Sequence, residues 1–328
     1  MQTGKVILTT GNTCNVETPE GNIHTCTVRG NFRLKKIKST NPVIVGDVVD
    51  FEDNNFIVNI HERHNCIIRR SVNLSHQSHI IAVNIDEVFI IASLVSPTTP
   101  YGFIDRFTVV AESFHIPVTI VFNKLDIYDD KALQHLERAM KIYTNVGYRC
   151  IAVSAVTNEN VETLKNLIHS PSTQYPPSTQ SFSTSLLSLP PSSLPISRTV
   201  LFAGNSGVGK STIINVLDSS KNLKTKEIST FNDKGKHTTT FTEMHKVDDA
   251  YIIDSPGIKE FGVVHIPKNE LHLYFPEFRK LSSNCKFDNC THTHEPACAV
   301  RRDLEEPNEH KHIAPERYTS YLWMLEGN

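Results

Sequence analysis

The sequence lacks any uninterrupted apolar run near the eighteen or so residues that a membrane-spanning helix needs, so no membrane partner is expected. Its opening, Met1-Gln2-Thr3-Gly4-Lys5, lacks the apolar core of an export signal. It also lacks a charge excess. The 33 Lys and Arg against 35 Asp and Glu leave −2, so any nucleic acid must be met by local patches. An even cysteine count is missing too. The seven are Cys14, Cys26, Cys66, Cys150, Cys285, Cys290 and Cys298. An odd number without an export signal argues for a reducing, cytoplasmic setting rather than a disulfide framework. Three of them crowd into one short window, which points to metal. What is present in quantity is length and core: 328 residues, 39% hydrophobic, suggest two or three domains.

The chain is organised around Gly204-Asn205-Ser206-Gly207-Val208-Gly209-Lys210-Ser211-Thr212. A glycine, four free positions, then Gly-Lys-Ser is the phosphate-loop pattern. Its glycines let successive N–H groups point into one anion-binding nest. Lys210 can reach the β- and γ-phosphates, and the Ser211 hydroxyl can ligate Mg²⁺. The apolar run Thr199–Ala203 before it reads as a buried strand, and Ser211 to Leu217 as a helix whose N-terminus faces the phosphates.

A second buried strand, Val118–Phe122, delivers Asn123-Lys124-Leu125-Asp126. This is the guanine-recognition pattern of GTPases. The Asp126 carboxylate suits the N1–H and N2–H₂ donors of guanine, and adenine offers the opposite pattern at that edge. After a helix at about 130–143 and a strand Cys150–Val153 comes Ser154-Ala155, where a backbone N–H can meet the base oxygen. Another amphipathic helix follows at 160–170. The guanine elements thus precede the phosphate loop, the reverse of the ordinary order. Joining the old termini and cutting elsewhere builds the same sheet. The uncharged, proline- and serine-rich residues 171–197 would be that join, read as a linker without a core of its own.

Beyond the phosphate loop, Lys234–Thr240 fits a first switch, with a threonine (Thr238, Thr239 or Thr240; Thr239 is favoured) for Mg²⁺ and the γ-phosphate. The strand Tyr251–Ile253 ends in Asp254-Ser255-Pro256-Gly257, where Asp254 can hold Mg²⁺ through water and the Gly257 N–H can meet the γ-phosphate. Many GTPases place a water-orienting glutamine next. Here it is Ile258, which cannot do so, and His237 on the first switch is the nearest replacement.

Cys285, Cys290, His292 and Cys298 follow the pattern C-x₄-C-x-H-x₅-C. Three thiolates and an imidazole form a closed, structural zinc set, with His294 a rival fourth ligand. Arg317 to Leu325 reads as a closing amphipathic helix. At the other end, alternating segments at Lys5–Leu8, Thr25–Val28, Val48–Phe51 and Phe56–Val58, separated by turn signals, suggest a small β-barrel. An oligonucleotide-binding (OB) barrel and an ordinary solvated strand face are both open for it. Arg29, Arg33, Lys35, Lys36 and Lys38 beside Phe32 form its basic run. Arg69-Arg70-Ser71 reads as the opening of a linker.

Taken together, Asn123–Asp126, Ser154-Ala155, Gly204–Thr212, Gly235 with His237–Thr240, Asp254–Gly257 and the Cys285/Cys290/His292/Cys298 set resemble the bacterial ribosome small-subunit-dependent GTPases of the RsgA or YjeQ type. Tyr274–Phe278 and Arg317–Tyr321 also look like that family. The resemblance implies an α/β chain in three parts. These are an OB barrel (1–68), a circularly permuted P-loop GTPase with a mostly parallel sheet (69–264), and a zinc-binding helical and loop domain (265–328). It implies GTP, Mg²⁺ and one structural Zn²⁺. It also implies late maturation of the small (30S) ribosomal subunit through its 16S rRNA, hydrolysis stimulated by that subunit, a monomer, and no DNA partner. It points to His237 as the catalytic residue. Two other readings stay open, a nucleotide-gated RNA-binding module and a permuted GTPase serving another RNA or protein. The proline/serine segment departs from the family pattern and bears only on the linker's path.

Overall fold

The computed structural model describes residues 1–11, 13–28, 42–70, 78–170, 197–218, 243–254, 266–307 and 311–327. The first five strands are β1 (Gln2–Thr10), β2 (Thr13–Glu17), β3 (Ile23–Val28), β4 (Val48–Phe51) and β5 (Phe56–Ile60). They pair in the order β1-β2-β3-β5-β4, and β4 returns to β1, so the sheet closes into a barrel. One pairing, β3 with β5, is parallel. Val6, Cys14, Val16, Cys26, Val49, Phe51 and Ile57 fill the interior, as alternation along each strand requires. The basic run at Arg29–Lys38 lies outside the described residues.

Where a linker was expected at Arg69, the backbone instead forms a hairpin of β6 (Cys66–Arg70) and β7 (Ser78–Val83), with Arg69 opposite His79. Its apolar residues decide this. Ile67 and Ala82 are buried in the core of the next unit, a burial of about 1.5–3 kcal/mol for a side chain of isoleucine's size.

That unit contains β8 (Glu87–Ala92), α1 (Tyr101–Ser113), β9 (Val118–Phe122), α2 (Asp130–Val146), β10 (Arg149–Ala152), α3 (Val161–His169), β11 (Thr199–Ala203), α4 (Lys210–Leu217), β12 (Glu243–Val247) and β13 (Ala250–Asp254). Its strand order is β10-β9-β8-β11-β13-β12, parallel except for β12. Strands buried on both faces read as continuous apolar runs. In β11, Leu201 and Ala203 face the core shared with α1 and α2, while Val200 and Phe202 face the core shared with α3 and α4. The half-sheet bearing Asn123 and Ser154 precedes β11 in the chain, so the sheet is permuted as read from the sequence.

The barrel and this sheet are continuous. β1 pairs antiparallel with β12, Leu8 opposite Glu243. Lys5 Nζ donates to Ser197 O and Thr199 Oγ1, both at 2.8 Å, and Lys246 Nζ pairs with Glu17 at 2.9 Å. Burial pulls the Lys5 pKa down to about 8.

The two ends of residues 171–196, a segment outside the described residues, are held together by one side chain. Arg198 donates to Leu167 O, Ile168 O and Ser170 O, and to the buried carboxylate of Glu87, which Arg149 also grips. Both ends are therefore fixed by contacts within the sheet and α3. Replacing residues 172–196 by a short Gly/Ser segment is expected to leave GTP binding unchanged, measured by titration with a fluorescent GTP analogue. Loss of binding with a replacement of adequate reach would make the segment structural.

The last unit comprises α5 (Pro276–Ser282), α6 (Ala299–Glu305) and α7 (Pro315–Glu326) around Leu271, Phe275, Phe278, Val300, Ile313 and Tyr321. It docks on α1 through a fully buried Arg317. The guanidinium donates to Glu277 (2.7 and 3.0 Å), Asp105 (2.8 Å) and Thr108 (3.1 Å). Removing one partner of such a buried set typically costs about 3–5 kcal/mol, because the others stay buried and uncompensated.

Candidate nucleotide site and metal cluster

The parallel strands end along one edge, with Ala92 beside Phe122, Phe122 beside Ala152, and Phe202 beside Asp254. The loops carrying the sequence motifs leave from this carboxyl edge, where open α/β sheets hold ligands. Asn123 joins three of them. Its Nδ2 donates to Val208 O in the phosphate loop at 2.8 Å, and its Oδ1 accepts from Ala155 N at 3.2 Å. The approach is close enough to require glycine opposite. A Cβ on Gly209 would lie 2.3 Å from Asn123 Nδ2. Gly207 and Gly209 both have positive φ, +83° and +98°, the left-handed backbone that turns N–H groups into a nest. Gly204 has no room for a side chain either, since a Cβ would meet Ile91 O at 2.4 Å.

Lys210 is buried and folded into its own loop, donating to Gly204 O at 2.8 Å and Asn205 O at 3.1 Å. Burial lowers its pKa, and the carboxylate of Asp254 opposes that. Ser211 Oγ lies 3.5 Å from Asp254 Oδ2, while Asp254 Oδ1 is buried with no hydrogen-bond partner among the described residues. A hydroxyl and a buried carboxylate at this spacing fit the coordination shell of Mg²⁺. Burial raises the Asp254 carboxyl pKa, and Lys210 opposes the shift. Thr212 lies in the first turn of α4, and Ser206, within the phosphate loop, is exposed.

On the base side, Asp126 is exposed at the start of a short 3₁₀ turn, Leu125–Ile127, and accepts a 2.5 Å bond from Ser154 Oγ. Of the Ser154-Ala155 pair, whose backbone the sequence offers as a donor to the base oxygen, the Ala155 N–H is engaged by Asn123 here. Lys124 adopts a left-handed backbone, φ +70°, and its Nζ reaches Ser96 O at 2.6 Å. One supporting residue escaped the sequence reading. Tyr128 accepts from Leu94 N at 2.8 Å and donates to Asn123 O at 3.1 Å, tying the guanine loop to the loop after β8. A tyrosine two positions past Asp126 is the only sequence trace of it. His237, Thr239 and Gly257, together with Thr238, Thr240 and Ile258, lie outside the described residues.

In the last unit, Cys285, Cys290, His292 and Cys298 place one ligand atom each within 4.8 Å of one another. His294 is exposed and its Nδ1 is paired with Thr293 Oγ1 at 2.8 Å, so it stands outside the cluster. Burial pushes the Cys290 thiol up to about 12. A bound dication reverses that preference, because a coordinating thiol is deprotonated outright. Three sulfurs and a nitrogen, close together with Cys290, His292 and Cys298 buried and Cys285 half-buried, fit a tetrahedral zinc ion. The loop is braced from beneath. Burial pushes the Glu295 carboxyl up, but it accepts from the Thr291 hydroxyl (2.5 Å) and from the N–H groups of Thr291 (2.7 Å), Thr293 (3.1 Å) and His294 (3.2 Å), and these bonds hold it well below the usual range. Tyr318 and Tyr321, on one face of α7, donate to His292 O (2.8 Å) and Thr291 O (2.6 Å).

Known proteins match this arrangement along the chain. The model of the RsgA N-terminal domain matches residues 3–56, and that of the RsgA GTPase matches residues 60–175 and 191–264. The small ribosomal subunit biogenesis GTPase RsgA of Bacteroides fragilis (strain YCH46) is 45% identical over 328 residues, 98% of this chain and 96% of the relative. The protein of the same name from Flavobacterium psychrophilum is 43% identical, covering 99% of this chain and 93% of its own. The crystal structure of YjeQ from Thermotoga maritima shares 27% identity at a TM-score of 0.74, over 99% of this chain and 98% of that one. YloQ, a circularly permuted GTPase, shares the fold at a TM-score of 0.68 and 24% identity, over 100% and 94%. With both family models matched in register with the barrel and the permuted sheet, and relatives aligned over nearly the full length, the chain belongs to the RsgA GTPase family.

Proposed function

We propose that this GTPase binds the small ribosomal subunit through its 16S rRNA, as a monomer in the cytoplasm, and hydrolyses GTP during the subunit's late maturation. The observation that carries the nucleotide half is Asn123, whose one side chain bonds both the phosphate loop and the Ser154-Ala155 loop. Three motifs distant in sequence thus share one pocket edge. The names of the close relatives support the ribosomal half. Among the described residues no helix is long and apolar enough to cross a membrane.

In this reading Asp126, oriented by Ser154, accepts the N1–H and N2–H₂ of guanine. Lys124 and Leu125 flank the base, and Asn123 with Ala155 fixes the loop that presents Asp126. The N–H groups of Gly204 to Thr212 cradle the α- and β-phosphates, and Lys210 neutralises charge on the β- and γ-phosphates. Ser211 and Asp254, with Thr239, would hold Mg²⁺, which supplies charge neutralisation for the transferred phosphoryl group. Gly257 offers its N–H to the γ-phosphate, and His237 orients the attacking water in place of the missing glutamine. Cys285, Cys290, His292 and Cys298 would hold Zn²⁺, which supplies the cross-link a small loop-rich unit needs.

Co-sedimentation with purified subunits tests the proposal. The protein is expected to pellet with small subunits, more with a non-hydrolysable GTP analogue than with GDP, and not with large subunits. Indifference to both subunit and nucleotide would defeat it.

A further inference from the structure

The zinc cluster contains a choice that the sequence pattern leaves open, which ring nitrogen His292 presents. We propose that Ser282 is a positioning residue that fixes the His292 tautomer, so that Nδ1 faces the metal and Nε2 carries the proton. This rests on reading the four residues as a zinc set.

The hydrogen-bond directions carry it. Ser282 closes α5, and its Oγ lies 2.7 Å from Phe278 O one turn back. A carbonyl only accepts, so the hydroxyl proton goes there. The lone pairs of Oγ then face His292 Nε2 at 3.3 Å. An acceptor at that nitrogen places the ring proton on Nε2 and leaves Nδ1 with a free lone pair. Nδ1 is the atom among the sulfurs, 3.4 Å from Cys298 Sγ and 3.7 Å from Cys285 Sγ. A tetrahedral zinc with its usual bond lengths separates nitrogen and sulfur ligands by roughly 3.5 Å. The two observed distances bracket that value.

The surroundings restrict the ring to this pose. His292 has a left-handed backbone, φ +59°, and the bond from Tyr318 holds its carbonyl. His272 and Phe278 meet the imidazole edge to face, with centroids 4.9 and 6.0 Å away. Ser282 thus plays the outer-shell part that orients a metal-bound histidine and selects its tautomer.

Two measurements on the full chain test this. Long-range ¹H–¹⁵N correlation of the zinc-loaded, histidine-labelled protein is expected to show His292 metal-bound at Nδ1 and protonated at Nε2. Competition with a chromogenic chelator is expected to show about tenfold weaker zinc binding for Ser282→Ala, with recovery in Ser282→Thr, which keeps the hydroxyl. Cys290→Ala is the control that loses zinc. A zinc-loaded wild type bound through Nε2, or a Ser282→Ala chain that holds zinc as tightly as wild type, would overturn the assignment and leave the zinc reading standing. A wild-type chain that binds no zinc would overturn both.

Discussion

Asp126→Asn is expected to weaken GTP binding at least a hundredfold and to confer binding of xanthosine triphosphate. The carboxylate accepts two hydrogen bonds from guanine, and bonds to a charged group contribute about 1.5–3 kcal/mol each. An asparagine keeps one acceptor, and its amide donates where guanine also donates. Xanthine carries a carbonyl at that carbon, so the amide finds a partner. Oδ1 can still accept from Ser154, whose hydroxyl bonds Asp126 at 2.5 Å, so the loop keeps its brace. In the wild type the same logic sets GTP above ATP by roughly 10⁴, because a site built to bond a group rejects the analogue that lacks it. Competition of GTP, ATP and xanthosine triphosphate against one fluorescent guanine nucleotide measures all three. Comparable GTP and ATP binding in the wild type would remove Asp126 as the discriminator.

The elements legible in the sequence are those whose signal is local. β11 is a continuous apolar run and appears with the bounds read from it, Thr199–Ala203. α2 carries the expected period and runs one turn further than read, to Val146, where Gly147 caps it in a left-handed conformation. The permutation was legible because motif order is a fact of the chain. β2 and β12 were not read. Cys14-Asn15-Val16 alternates too briefly to stand out and is held between its chain neighbours β1 and β3, while Met244-His245-Lys246 shows no alternation at all. β12 is held by β13 on one side and the barrel's β1 on the other.

The buried charges were hidden for a related reason. Glu87, Asp105, Glu277 and Arg317 look like solvated residues in a sequence of ordinary charge content, and all four are buried. Only the fold brings Arg149 and Arg198 to Glu87, or Asp105 and Glu277 to Arg317. In the nucleotide site the glycines and Lys210 were legible from their pattern. The internal use of the Ala155 N–H and the support from Tyr128 were not, because each depends on where a neighbouring loop lies. At the metal cluster the ligand types were written in the spacing, while the choice of His292 over His294 came from burial.

Small ribosomal subunits are expected to accelerate phosphate release strongly, and His237→Ala to remove roughly a hundredfold or more of the stimulated rate, the usual contribution of one positioned proton-handling group. Ile258 cannot orient water, so the unassisted chain should turn over slowly. The topology offers a route for the stimulation. The segment carrying His237 leads directly into β12, and β12 pairs with β1 of the barrel, with Leu8 opposite Glu243. The Lys246–Glu17 pair and the Lys5 bonds to Ser197 and Thr199 reinforce that seam. At the other end, the segment following Asp254 leads into the unit that Arg317 anchors to α1. An RNA surface that engages the barrel and the metal-binding unit together bears on both ends of the switch region. Phosphoryl transfer depends mainly on positioning and charge stabilisation, so ordering that region raises the rate without new chemistry. His237→Ala should leave GTP affinity nearly unchanged, since the group acts on the water in the transition state rather than on the bound nucleotide. Steady-state phosphate release with no subunits, small subunits or large subunits, for wild type and variant, separates the claims. Equal wild-type rates in all three conditions would defeat ribosome dependence. A fully stimulated variant would defeat only the role of His237, and the water would then be oriented by another group of this chain or by the subunit itself.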